Sequence, residues 1–392
     1  MPRILRIINR FNLGGPTYNA AYLTKYLPDE YETLLLGGMK DRSEDSSQFI
    51  VENLGIQPMV LSEMKRAILP FQDYLAYKKV KEVIHGFQPD IVHTHASKPG
   101  AIGRWAAHKM KVPVIVHTFH GHVFHSYFNS AKTEFYKKLE RKLASVSTGI
   151  IAISERQKYE IVEEHQICAE NKVHVIPLGF DLQRFQENTY EKREVFREEF
   201  RLNKEDIAVA IVGRLVPIKN HALFLDTMKY AKDRTAKRIK GFIVGDGESR
   251  IEIQDYCAKV GLTYSSDSED EADIYFTSWV KNVDFVYAGV DIVALTSKNE
   301  GTPVSLIEAQ AAGKAIVSTN VGGIENVVLP GQTAFLSDSD DTENFKINLL
   351  EMVNNDELRL EFGQKGWNFV KNKFHYERLV KDITKLYEEL LP

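Results

Sequence analysis

Cysteine is scarce: Cys168 and Cys257 are the only two in 392 residues. They stand far apart, so neither a disulfide framework nor a cysteine-based metal site is implied, and a reducing cytoplasm fits. Long apolar runs are missing as well. The N-terminal run is interrupted by Arg6 and followed by Gly14 and Gly15, too short for a signal peptide or a membrane span. Excess charge is absent, since 50 Lys and Arg face 54 Asp and Glu for a net charge of −4. That removes the global signature of nucleic-acid binding. No His-Glu-x-x-His occurs. Asp338-Ser339-Asp340 matches a metal-binding Asp-x-Asp in letters, but reads as part of a late polar loop rather than a strand end. The dinucleotide fingerprint is incomplete: Gly245 and Gly247 are followed by Arg250 where a third glycine should stand.

What is present is alternation. Short apolar runs at residues 4–8, 33–36, 91–93, 114–117, 149–153 and 173–176 are separated by helical patterns, among them 18–27, 73–86, 101–109 and 132–144. The pattern pauses near Pro177, Gly179 and Asp181. It restarts with runs at 207–212, 241–244, 274–276, 292–295 and 315–317. Strand–helix alternation predicts parallel sheets covered by helices on both faces, an α/β class. Two passes of the pattern, at a length where one core usually stops growing, predict two such domains, 1–178 and 179–372. A last helix over 376–390 has apolar positions Leu379, Ile383, Leu386, Tyr387 and Leu390. The acidic run 265–271 reads as a solvated loop.

The most informative stretch begins at Glu300. Seven residues separate it from Glu308, and Gly301-Thr302-Pro303 lies between. Gly301 suits a sharp turn and Pro303 suits the first turn of a helix, where its missing N–H is not needed. Glu308 then falls about one turn inside. Free amides and the helix dipole make the helix start attractive to anions, and the two carboxylates accept hydrogen bonds from hydroxyls. Such a site suits a nucleotide sugar. The Glu pair alone would equally describe a capped helix with a solvated Glu308.

With Gly-Thr-Pro inside it and Ala-Ala-Gly after it, the segment closely resembles the Glu-x7-Glu motif of retaining family 4 glycosyltransferases of the GT-B fold. The resemblance implies two Rossmann-like domains facing across a cleft. The first binds the acceptor and the second the nucleotide sugar, and residues 373–392 form a helix that crosses back to the first. Gly213, Arg214 and Lys219 follow the strand 207–212 and resemble the family's Gly-Arg-Leu-x-x-x-Lys stretch. Arg214 and Lys219 would therefore contact the donor diphosphate, where cations stabilise the departing charge. By the same resemblance, Glu308 holds the ribose hydroxyls. Glu300 and the backbone around Gly301, Thr302, Pro303 and Val304 hold the sugar. Gly245 and Gly247 line the nucleotide side, and Trp279 and Val280 belong to the stretch that touches the base. Ser278 stands where relatives often have glycine. Gly14 and Gly15 form the first-strand loop over the donor diphosphate or the acceptor side. His120 helps position the donor sugar.

His93, His95, His117, His120, His122 and His125 form an unusual cluster. Strand-end histidines bordering a cleft explain it; a zinc site is the alternative. Arg214, Lys219 and the helix end can neutralise a diphosphate, so no metal and no other cofactor is expected. Lys132, Lys137, Lys138, Arg141 and Lys142 share a helix whose apolar face is Phe135, Leu139 and Leu143. It reads as a surface helix, or else as a peripheral membrane contact at the inner face of the membrane. The first-domain stretches 93–104 and 117–125 look like bacterial enzymes of exopolysaccharide and lipopolysaccharide assembly. The implied reaction moves a hexose or N-acetylhexosamine from a UDP sugar to a glycan or lipid-linked acceptor, with retention. A nucleotide-sugar epimerase of the same architecture, or a non-catalytic sugar-nucleotide binding protein, remains open.

Overall fold

Residues Ile207–Val212, Ile-Ala-Val-Ala-Ile-Val, have no polar side to offer water, and such a run is stable as a strand covered on both faces. In the computed structural model, which describes residues 1–11, 15–38, 48–65, 67–120 and 130–392, runs of this kind build two sheets. The first contains β1 (Arg3–Arg10), β2 (Glu32–Gly38), β3 (Met59–Leu61), β4 (Ile91–His95), β5 (Val114–Phe119), β6 (Gly149–Ala152) and β7 (Val173–Val175), in the spatial order β3-β2-β1-β4-β5-β6-β7. The second contains β8 (Ile207–Val212), β9 (Ile239–Val244), β10 (Tyr264–Ser265), β11 (Ile274–Ser278), β12 (Ile292–Leu295), β13 (Ala315–Thr319) and β14 (Ala334–Ser337), in the order β10-β11-β9-β8-β12-β13-β14. Every strand pairing in both is parallel.

The chain divides into two compact units, Met1–Phe180 with Phe374–Pro392, and Asp181–Lys373. In each unit the chain crosses back over its first strand, between β1 and β4 and between β8 and β12. In open α/β sheets ligands bind outside the carboxyl ends of the strands at such a point.

Three strands escaped the sequence pattern: β3, β10 and β14. All are sheet edges of four residues or fewer, so they lack the continuous apolar run that marks a covered strand. One consequence corrects an expectation. Asp338-Ser339-Asp340 directly follows β14, so it does sit at a strand end, though at the sheet's edge and fully exposed. The acidic run after β10 is exposed but not merely solvated. Glu271 pairs with Arg238 at 3.0 Å and Lys240 at 2.6 Å, and the Tyr275 hydroxyl donates to the Asp270 carbonyl.

The last helix, Tyr376–Leu390, buries Leu379, Val380, Ile383, Leu386 and Tyr387. They pack with Ile4, Leu23, Ile91, Val114 and Ile151 in the first unit's core. Burial of this kind contributes about 1.5–3 kcal/mol per large apolar side chain. The chain must pass the helix closely at Gly179, where a Cβ would meet Leu379 Cβ at 2.6 Å. Arg378 fastens the crossing by donating to the Pro177 and Leu178 carbonyls, both at 2.7 Å.

Candidate functional site

At the switch point of the second sheet, the loops after β8 and β12 bring Lys219 and Glu300 together. Pro217–Lys219 form a turn of 3-10 helix that aims Lys219 across at Glu300. The Lys219 ammonium donates to Glu300 Oε1 at 2.6 Å, and the Ser297 hydroxyl donates to the same oxygen at 2.6 Å. The Thr296 hydroxyl ties the β12 loop to the Lys219 carbonyl at 2.8 Å. Both partners of the ion pair are largely covered, with side-chain exposures of 20% and 11%, so it is less screened than a surface pair. Glu300 Oε2 accepts no hydrogen bond among the described residues. Arg214, in the same β8 loop, is exposed and has no partner among them. The expectation kept Lys219 and Glu300 apart, one for phosphate and one for sugar; without ligand they hold each other, because a largely desolvated cation and carboxylate cost less paired than apart.

Glu308 lies in the second turn of helix Val304–Ala311. Burial raises its pKa, opposed by Arg184, whose guanidinium stands 3.6 Å from Oε1, and by the Tyr287 hydroxyl. Neither Arg184 nor Tyr287 was singled out from the sequence, since both lie outside the motif and only the fold carries them there. Pro303 needs a correction: it is the residue before the helix, and the first turn begins at Val304. Gly301 needs another. It is exposed and its Cβ would meet nothing, so no left-handed turn or close packing demands glycine there. Its small size instead leaves space beside Glu300 and Thr302. The crowded glycines are Gly322 and Gly323, whose Cβ atoms would strike the Glu300 and Gly301 carbonyls at 1.9 Å.

Gly245 and Gly247 serve packing. A Cβ at Gly245 would meet the Gly213 carbonyl oxygen at 2.0 Å, and one at Gly247 would meet that of Leu215 at 2.3 Å. The two glycine loops thus lie backbone on backbone, closed by Leu215 N–H donating to the Asp246 carbonyl at 3.0 Å. This fixes the segment that carries Arg214. Ser278 sits at φ 56°, a left-handed conformation that glycine adopts freely and serine does not. Arg250 holds it there, donating to Ser278 Oγ at 2.8 Å and Asp246 Oδ2 at 3.2 Å. Trp279 beyond it is 42% exposed. Val280 lines a cavity of about 320 Å³ walled by Phe196, Phe200, Tyr275 and Phe276.

In the first unit Gly15 begins helix Gly15–Tyr26 after β1. Gly14, His122 and His125 lie outside the described residues. The histidine cluster stands at the ends of β4 and β5, but His93, His95 and His117 are fully buried rather than bordering open space. They bond to one another and to neighbours through some of their ring nitrogens, while His95 Nε2, His117 Nε2 and His120 Nδ1 are buried without a hydrogen-bond partner. His95 Nδ1 and His120 Nε2 share a hydrogen bond of 2.9 Å; His93 reaches the Tyr387 hydroxyl at 2.6 Å and Thr118 at 2.7 Å. Arg6 donates to the same Tyr387 hydroxyl at 3.2 Å. Burial lowers the pKa of all four histidines, that of His120 to about 4, so they are neutral at pH 7. Among the described residues no three His, Cys, Asp or Glu converge as a metal-binding group, so the zinc alternative gains no support from them.

Helix Ser130–Ser145 departs from its expected face. Phe135 is 62% exposed, while Glu140 is buried and pairs with the buried Arg104 at 2.7 Å. Arg141 is tied to Glu134 and to the His165 and Gln166 carbonyls, and Lys142 lies over the Trp105 ring. The side chain of Lys132 lies outside the described residues.

Two family models match the chain: "Glycosyltransferase Family 4" over residues 13–184 and "Glycosyl transferases group 1" over residues 192–369. The chain belongs to glycosyltransferase family 4. This family 4 glycosyltransferase is 29% identical over 357 residues to the Escherichia coli UDP-Gal:alpha-D-GlcNAc-diphosphoundecaprenol alpha-1,3-galactosyltransferase, covering 91% of this chain and 87% of that one. It is 25% identical to the capsular polysaccharide biosynthesis glycosyltransferase CapM of Staphylococcus aureus, over 84% of each chain. Among solved structures, Anabaena HepE in complex with UDP superimposes with a TM-score of 0.79 at 18% identity, over 99% of this chain and 100% of that one. A Rickettsia africae glycosyltransferase superimposes with the same score at 19% identity. At such identities the superpositions speak for the fold, which is GT-B.

Proposed function

We propose that this glycosyltransferase moves a hexose or N-acetylhexosamine from a UDP sugar to a glycan or lipid-linked acceptor in polysaccharide biosynthesis, with retention at the anomeric carbon. The observation that carries the proposal is the cluster at the second switch point. An unpaired guanidinium (Arg214), an ammonium on a carboxylate (Lys219 and Glu300), open space at Gly301 and a second carboxylate (Glu308) surround one helix start. A nucleotide sugar matches that set group by group. Arg214 and Lys219 stabilise the leaving diphosphate, Glu300 Oε2 and the backbone around Thr302 and Val304 accept and donate to sugar hydroxyls, and Glu308 takes the ribose. The raised pKa of Glu308 suits a carboxylate that loses water on binding a diol. The named activity of the Escherichia coli relative supports a UDP donor and a lipid-linked acceptor.

The family resemblance implies a front-face route, in which the leaving phosphate accepts the incoming hydroxyl's proton. Arg214, Lys219 and the helix start can balance the diphosphate, so we propose metal independence. The test is turnover of uridine-, guanosine- and adenosine-diphosphate sugars with and without a chelator. Hydrolysis or transfer from one uridine donor, unchanged by chelator, is the expected result. Activity lost with chelator defeats metal independence, and conversion of donor without an acceptor or hydrolysis would favour an epimerase.

A further inference from the structure

In the first unit, every residue from Ala67 to Phe71 (Ala-Ile-Leu-Pro-Phe) is exposed. Ile68 is 65% exposed, Phe71 70% and Tyr74, one turn on in helix Pro70–Phe87, 54%. Their exposure is not slack in the loop. Lys98 reaches beneath it and donates to the Lys65 and Ala67 carbonyls at 2.8 and 2.6 Å. Lys98 also pairs with Asp73, and Asp73 Oδ2 accepts from the Leu69 N–H at 3.0 Å. The polar groups of the segment are thus drawn inward while its large apolar side chains stand outward. A contiguous exposed apolar run of this kind marks an interaction surface.

Charge narrows the partner. From Met59 to Lys81 the sequence holds five Lys and Arg against Glu63 and Asp73, in a chain of net charge −4. Asp73 is neutralised by Lys98, and Glu82 by Lys79 at 3.0 Å. Lys78 lies over the Tyr74 ring at 4.9 Å and Lys81 over Tyr77 at 5.7 Å. The apolar side chains protrude, so they suit a medium they can enter rather than a groove that would enclose one lipid chain.

We propose that residues 67–71 and the first turns of helix Pro70–Phe87 dock the protein on an anionic bilayer. Ile68, Leu69 and Phe71 enter the interface, Tyr74 sits at headgroup level, and Lys65, Lys78 and Lys81 face the lipid phosphates. This surface is separate from helix Ser130–Ser145, where Arg141 and Lys142 are already engaged, and it does not depend on which sugar is transferred.

The test is co-sedimentation of the full chain with vesicles of phosphatidylglycerol and phosphatidylethanolamine, compared with phosphatidylcholine alone. The wild type binds the anionic vesicles, and the double variant Ile68→Ser/Phe71→Ser binds them about tenfold or more weakly. The Lys137→Glu/Lys138→Glu variant binds like the wild type. A Phe71→Trp variant gains fluorescence that brominated lipids quench. Wild type that stays in solution, a double variant that binds undiminished, or an unquenched Trp each overturns the proposal. A dimer abolished by the double variant, with no vesicle binding, would assign the surface to a second copy instead.

Discussion

The two sheets reverse their strand order at the same place in their topology, yet the chemistry gathered there is opposite. After β8 and β12 stand an exposed Arg214 and the largely covered pair of Lys219 and Glu300, all charged and with hydrogen-bonding capacity to spare. After β4 and β5 stand His95 and His120, bonded to each other, and behind them His93 and His117, buried and held neutral. Lys219 and Glu300 offset the cost of their desolvation by pairing and so stay charged; the histidines avoid it by remaining neutral. Ligands bind at switch points in open α/β sheets generally, and here the two units offer different groups there: charged side chains in one, neutral imidazoles in the other.

Four perturbations test that contrast. The largest effect is expected in the first unit, where the buried charge is structural: Glu140→Ala strands the Arg104 guanidinium and should cost about 3–5 kcal/mol of stability in urea unfolding. A cost near zero would mean that water already reaches Arg104. In the second unit the charge is the one proposed to bind the donor. Lys219→Ala should reduce turnover by about 10²–10³-fold, with a far smaller loss of stability, as measured by steady-state kinetics beside thermal melts. Turnover near the wild-type value would remove Lys219 and Glu300 from the donor site.

Acid separates the units more gently. His93, His95, His117, His120 and His174 in the first unit have lowered pKa values, chiefly through burial; in the second, among the described residues, His221 does, at about 4. Below the ordinary value of 6.5 the unfolded chain takes up protons that the folded chain refuses. Stability is thus unaffected above pH 6.5 and falls as pH drops from 6.5 toward 4, by at most about 1.4 kcal/mol per pH unit per histidine. The first unit should unfold at higher pH than the second, which hydrogen exchange read by unit would show; simultaneous loss would contradict it. The smallest effect concerns Ser278. Ser278→Gly and Ser278→Ala both lose the Arg250 hydrogen bond, but only glycine relieves the left-handed φ, so the glycine variant should be more stable by about 1 kcal/mol. Equal melting temperatures would argue that the loop relaxes instead.

Much of the fold was legible because covered parallel strands must be apolar throughout, and Ile207–Val212 or Ile292–Leu295 can hardly be anything else. Edge strands were not legible, because Met59–Leu61 and Tyr264–Ser265 are short and half in water. Within the candidate site, Glu300 and Glu308 announce themselves by spacing, and Lys219 by its distance from Gly213. Arg184 and Tyr287 do not, since nothing local distinguishes them from ordinary surface and core residues. Gly245 and Gly247 carry the letters of a phosphate loop and are used to let two backbones touch.

By itself, then, the sequence determined the repeated strand–helix alternation, the family motif and the residues that bear charge, because these depend on local pattern and residue type. Only the tertiary structure decided that Lys219 and Glu300 form a largely covered ion pair, that six histidines have lowered pKa values, and that residues 67–71 face outward over a satisfied Lys98. Pairing, desolvation and exposure depend on neighbours remote in the chain, and no local pattern encodes them.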